Sequence, residues 1–109
     1  VIYPGRADHV HNNRAAALFD GHSGNMVSFV IEGGRAATNR FVSALQGVPF
    51  GPTLGDVSTT LSQPATSSHR ALSAEERLAL GMPEGFFRVS VGLEDPEALS
   101  NAFLNALSA

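Results

Sequence analysis

Glycine and proline divide this chain into short pieces, and that punctuation limits its fold more than any other feature. The 109 residues include 11 glycines and 6 prolines. Pro4-Gly5, Gly21, Gly33-Gly34, Gly47 with Pro49, Pro64, Gly81 with Pro83, and Pro96 fall between stretches of regular patterning. Glycine ends helices because it adopts left-handed backbone angles without penalty, and proline stops them because it lacks an N–H. What remains between the breaks alternates in type.

Asp8 is placed to cap a helix running to about Phe19, with Ala15, Ala16, Ala17 and Leu18 favouring it and Gly21 as its stop. Met26 to Ile31 reads as a strand whose continuous apolar run suits cover on both faces. Ala36 to Gln46 reads as an amphipathic helix with Ala37, Phe41, Val42 and Leu45 on one side. Val57 to Leu61 is a strand by its β-branched content. Ser73-Ala-Glu-Glu76 is a capping box opening a short helix that Gly81 ends. Phe86 to Gly92 is the third strand, and Asp95 caps a last helix with Pro96 at its first position. Leu99, Phe103 and Leu107, joined by Ala102 and Ala106, form the apolar side of that helix. The order predicts a small α+β domain: a three- to four-stranded sheet with helices packed on one face. Strand order is not readable at this level.

Composition sets further bounds. Hydrophobic residues make up 43 % and charged residues 16 %, which places the chain among folded globular domains, and its length predicts one domain. Cysteine is absent, so there is no disulfide framework, thiolate metal site or cysteine nucleophile. Lysine is absent too: all seven basic residues are arginine. The chain therefore cannot form a Schiff base with an aldehyde cofactor or use a P-loop lysine. A net charge of -3 argues against a nucleic-acid partner, which needs clustered cations. No apolar run reaches the roughly 18 residues of a membrane span. Natural reading frames open on methionine and this chain opens on Val1, so it is expected to be processed, trimmed or cut from something longer.

Arg88 lies between Phe87 and Val89 inside an apolar strand. A charge there is costly unless paired. Its planar fork suits a ligand carboxylate, or equally an Asp or Glu from a neighbouring element, or its head reaches solvent at a sheet edge. Thr53-Leu-Gly-Asp56 offers a hydroxyl and backbone N–H groups to an anion, or is an ordinary turn that needs Gly55. Ser68 and His69 share a polar loop, where the histidine is an acid, a base, a ligand or simply solvated. His9 and His11, two apart at a helix start, do not share a face and lack a third ligand, so no metal site is assigned. Glu94, Asp95 and Glu97 are explained by helix capping. Gly33-Gly34 before a helix offers a phosphate site, but a bare pair is explained as well by a chain turn. No complete catalytic set is present, so no catalytic or cofactor-binding residue is assigned.

Several segments, in this order and spacing, resemble the C-terminal part of the Cys/Met metabolism enzymes dependent on pyridoxal phosphate. Phe87-Arg-Val-Ser-Val-Gly-Leu-Glu-Asp95 resembles their "RLSVGLED" signature, Tyr3-Pro-Gly5 their "YPGL", Gly24-Asn-Met-Val-Ser-Phe29 their "GGMLSFEL" and Thr53-Leu-Gly-Asp56 their "SLGD". Gln63-Pro-Ala-Thr-Ser-Ser-His69 resembles "HPASMTH", and Glu75-Glu-Arg77 through Gly81 resembles "EER…G". Gln63 stands where the family has histidine, and Asp8, Val10 and Asn13 also depart from its usual run.

The resemblance implies that residues 1–109 form the C-terminal substrate-carboxylate domain of a fold-type I enzyme. The large domain that carries pyridoxal 5'-phosphate and its lysine is absent from this chain. It implies that Arg88 binds the substrate α-carboxylate, that Thr53 and the backbone at Leu54 help hold it, and that Ser68 supports the arginine. It implies a cytoplasmic homotetrameric parent acting by β/γ-elimination or γ-replacement on an amino-acid substrate, with the LGD and GLED runs leaning toward methionine γ-lyase or sulfhydrylase-like members. The chain by itself is then inactive and binds no cofactor, and self-association of the isolated domain is a hypothesis. The alternative reading is a stand-alone α+β module for a small anion or a protein partner.

Overall fold

The computed structural model describes all 109 residues. Its elements follow the order α1 (Asn12–Phe19), β1 (Met26–Val30), α2 (Gly34–Ala44), β2 (Thr60–Ser62), a 3-10 turn (Pro64–Thr66), α3 (Ala74–Ala79), β3 (Phe86–Ser90) and α4 (Pro96–Leu107). The sheet has three strands in the order β1-β3-β2, all antiparallel. Isolated bridges add Ile2 opposite Ser28 and Phe50 opposite Leu61, but no fourth strand forms.

The register separates two faces, because side chains alternate along a strand and cross-strand partners point the same way. Val27 faces Val89, Phe29 faces Phe87, and Leu61 also faces Val89. Phe29, Phe87, Val89 and Leu61 meet α2 and α4, giving a core of Phe41, Leu61, Phe87, Val89 and Ala106. Phe87 stacks on Phe29 with centroids 5.5 Å apart and meets Phe41 at 5.2 Å. On the opposite face, Arg88 in the central strand is flanked by Ser28 and Ser62.

Local signals placed several ends correctly. Ser73 Oγ accepts from the Glu76 N–H while the Glu76 carboxylate accepts from the Ser73 N–H, completing the capping box. Asp95 Oδ1 accepts from the Ala98 N–H with Pro96 opening α4.

Four expectations need correction. Asp8 does not cap α1; both its oxygens are taken by Arg6, at 2.9 and 2.8 Å. A two-pronged local ion pair displaces the capping bond, residues 6–12 run in successive turns, and α1 starts at Asn12. The second strand is not Val57 to Leu61: Val57 is 69 % exposed, and its carbonyl accepts from the Leu93 N–H rather than from a strand partner. Strand β1 is half-buried rather than covered on both faces, since helices α2 and α4 cover only one side of the sheet. Leu107 is exposed, and Ala106 takes the buried place at the end of α4.

Candidate functional site

The open face of the sheet carries the candidate site. Alternation along β3 turns Phe87 and Val89 into the core, so Arg88 is driven to the other side. The guanidinium is half-exposed rather than buried and has no Asp or Glu within ion-pair distance. The chain's salt bridges involve Arg6, Arg35 and Arg77 instead. Arg77 is the buried arginine, at 9 % exposure, bonded to the Leu72 carbonyl and 3.5 Å from Glu84. Arg88 Nη2 donates to the Pro52 carbonyl at 3.0 Å. This single contact brings the cation beside the residue that precedes Thr53.

The segment after Pro52 crosses the open face as a loop. Thr53 and Leu54 are exposed, and Gly55 adopts a left-handed backbone at φ 77°, the turn that the sequence required of it. Neither the Thr53 hydroxyl nor the Leu54 N–H is engaged by another group of the chain. A guanidinium without a carboxylate, a free hydroxyl and a free N–H thus occupy neighbouring positions. Together they suit a planar anion, which accepts charge-assisted bonds from each donor.

Other side chains fix this loop from below. Ser90, 1 % exposed, accepts from the Gly55 N–H at 3.0 Å and from Asn25 Nδ2 at 3.3 Å. Thr60 Oγ1 donates to the Thr53 carbonyl at 3.1 Å. Glu94 accepts from the Thr59 N–H at 2.6 Å and from the Thr59 hydroxyl at 2.7 Å. These bonds, the hydroxyl's foremost, hold the Glu94 carboxyl below its ordinary pKa.

The structure brings Arg88 to the Thr53–Leu54 segment but does not join Ser68 to them. Ser68 Oγ is hydrogen-bonded to His69 Nδ1 at 2.8 Å, although the 3-10 turn that precedes it packs on β3. His9 and His11 have ring centroids 6.0 Å apart, and the His11 N–H donates to His9 Nδ1. Gly33 is N-cap of α2 at φ 99°, and a Cβ there would lie 2.9 Å from that of Ala37, so a chain turn accounts for it.

Sequence reasoning missed three residues. Helix capping accounts for Asp95 but not for Glu94, which precedes the cap and reaches back to Thr59. Ser90 and Thr60 were read as strand residues. Their signal is a hydroxyl on a β-strand at a position where the alternation faces away from the apolar layer.

Comparison with known proteins gives one answer. The profile describing "Cys/Met metabolism PLP-dependent enzyme" matches residues 1–108. O-succinylhomoserine sulfhydrylase of Pseudomonas aeruginosa is 39 % identical over all of this chain and 27 % of its own length. O-acetyl-L-homoserine sulfhydrylase 1 of Thermus thermophilus is 37 % identical over 99 % of this chain and 26 % of its own length. The crystal structure of cystathionine gamma synthase from Xanthomonas oryzae pv. oryzae, in complex with cystathionine, superimposes with a TM-score of 0.81 at 36 % identity, covering 97 % of this chain and 27 % of that one. The chain thus spans about a quarter of the relatives it matches. With this agreement in sequence and in fold, the chain belongs to the family of Cys/Met metabolism enzymes dependent on pyridoxal phosphate.

Proposed function

We propose that residues 1–109 form the C-terminal domain of a transsulfuration-type enzyme, and that this domain holds the α-carboxylate of an amino-acid substrate. The observation that carries the reading is Arg88: a cation on the central strand, without a carboxylate of its own, bonded at 3.0 Å to the carbonyl before Thr53. Arg88 supplies the charge, while Thr53 Oγ1 and the Leu54 N–H supply directed donors. Ser68 is assigned as a supporting hydroxyl for the arginine, which requires it to leave the 2.8 Å bond it makes with His69 Nδ1.

The residues present fit a substrate site and not the cofactor's anchor, because the chain contains no lysine to bond an aldehyde. In the parent enzyme that lysine belongs to a large domain outside this chain. Pyridoxal phosphate, when bound there, withdraws electrons from the substrate's α-carbon and permits elimination or replacement at the β or γ carbon. This chain's share is orientation: gripping the carboxylate at two or more points fixes which α-carbon bond faces the cofactor. The parent is read as a cytoplasmic homotetramer. The isolated domain exposes the apolar side chains of Ile2, Val30, Phe50 and Leu54, which suit cover by the rest of that enzyme or self-association.

The test is Arg88→Leu in the full-length enzyme. Loss of a charge-assisted contact is worth about 1.5–3 kcal/mol, so kcat/KM should fall by roughly 10- to 150-fold with cofactor content unchanged. Unchanged kinetics for an amino-acid substrate would remove the reading.

A further inference from the structure

We propose that Glu94 is a positioning residue for the carboxylate grip, acting through Thr59 on the loop that carries Thr53 and Leu54. The inference rests on the carboxylate reading of Arg88 and names a residue which that reading does not use. Thr59 is fully buried, and its N–H and hydroxyl are both committed: they donate to the two oxygens of Glu94, and the hydroxyl also accepts from the Gly92 N–H at 2.8 Å. Next to this clamp, the Leu93 N–H donates to the Val57 carbonyl at 2.7 Å. The base of the loop is therefore stitched to the segment that leaves β3.

A second observation points the same way. A Cβ on Gly92 would lie 2.3 Å from the Val57 oxygen and 2.5 Å from Thr59 N, so the two backbones are in direct contact. Loop residues 52–59 follow the end of β3 as one body, and Arg88, four residues before Gly92, stands on the same strand. Cation and loop donors thus keep a fixed separation. The Glu94 carboxylate is the only charged group in this stitching, and bonds to an ionised acceptor are about twice as strong as neutral ones. Grips of this kind lose much of their value when misplaced by about an ångström.

The test uses the full-length enzyme with Glu94→Gln, Thr59→Val and, as a control, Glu97→Gln on the exposed first turn of α4. Thr59→Val keeps the shape and removes only the hydroxyl, so it serves where Glu94→Gln folds poorly. Expected is a rise of about tenfold in KM for the amino-acid substrate, kcat within about threefold, and unchanged cofactor absorbance for both clamp variants. Glu97→Gln should change neither constant. Combined with Arg88→Leu, Glu94→Gln should add no further loss, because both act on one contact. A lower melting temperature with unaltered KM, or losses that multiply, would overturn the proposal. If Arg88→Leu itself leaves KM unchanged, the carboxylate reading falls separately. The clamp is then judged by hydrogen exchange: faster exchange confined to residues 52–59 in Glu94→Gln supports it, and uniform or unchanged exchange refutes it.

Discussion

Gly92→Ala isolates geometry from chemistry. The change adds one methyl group and removes no hydrogen-bonding atom. The backbone at Gly92 is not in the left-handed region, so alanine meets no conformational penalty of its own there. The obstacle is the loop: the new carbon would stand 2.3 Å from the Val57 oxygen, 2.5 Å from the Ser58 carbonyl carbon and 2.5 Å from Thr59 N, all backbone atoms. Ordinary contact needs about 3.4 Å or more, so the two segments must part by roughly 1 Å. A shift of that size misplaces Thr53 and Leu54 relative to Arg88. By the usual cost of a 1 Å error, kcat/KM of the full-length enzyme should fall by about 100-fold, equivalent to about 2.7 kcal/mol. Overpacking should also cost about 1–3 kcal/mol of stability, visible in chemical denaturation. Gly55→Ala is the contrast: φ is 77° with open space around the position, so it costs strain without pushing the loop off β3. Steady-state kinetics with an amino-acid substrate decides. A folded Gly92→Ala enzyme with kcat/KM within threefold of the parent would refute the argument that loop and strand act as one body.

Other contacts of the chain set further outcomes. Phe87→Ala empties the centre of the aromatic layer beside Phe29 and Phe41 and should cost about 3–5 kcal/mol, read by urea unfolding of the chain; a loss under 1 kcal/mol would contradict the core assignment. Ser73→Ala removes one half of the capping box and should cost about 0.5–2 kcal/mol, with exchange at the Glu76 amide accelerated first. The Glu94 carboxyl has a lowered pKa in the folded chain, so its contribution is complete above its unfolded pKa and is lost as pH falls through the folded one. Stability should therefore rise with pH across the carboxylate range. The Thr59 amide resonance should report a midpoint below that of an ordinary glutamate, and a midpoint at or above it would refute the clamp's charge.

The legible parts of this fold are those decided within a few residues. A hydroxyl three residues before Glu76, an acid before Pro96 and a glycine after a helical turn act through bonds spanning one turn, so they read directly from sequence. The Asp8 expectation failed although it too was local, because Arg6 competed for the same oxygens with two charge-assisted bonds. Val57 failed for a longer-range reason: its β-branched side chain favours extended backbone, but its carbonyl is claimed by Leu93, far along the chain.

For the site, Arg88, Thr53 and Leu54 were readable as candidates, by an arginine out of place in an apolar strand and by family-like motifs. Their partnership was not. The sequence by itself determined the order of the elements, the caps at Ser73 and Asp95, and that no lysine can anchor a cofactor here. Only the tertiary structure decided that β3 is central, that Arg88 reaches Pro52 and not a carboxylate, and that Glu94 grips Thr59. The physical reason is separation along the chain. Caps and turns satisfy backbone groups within a few residues, whereas Arg88 and Pro52 are 36 positions apart, and Glu94 and Thr59 are 35. Such partners are chosen by strand pairing, which no local pattern encodes.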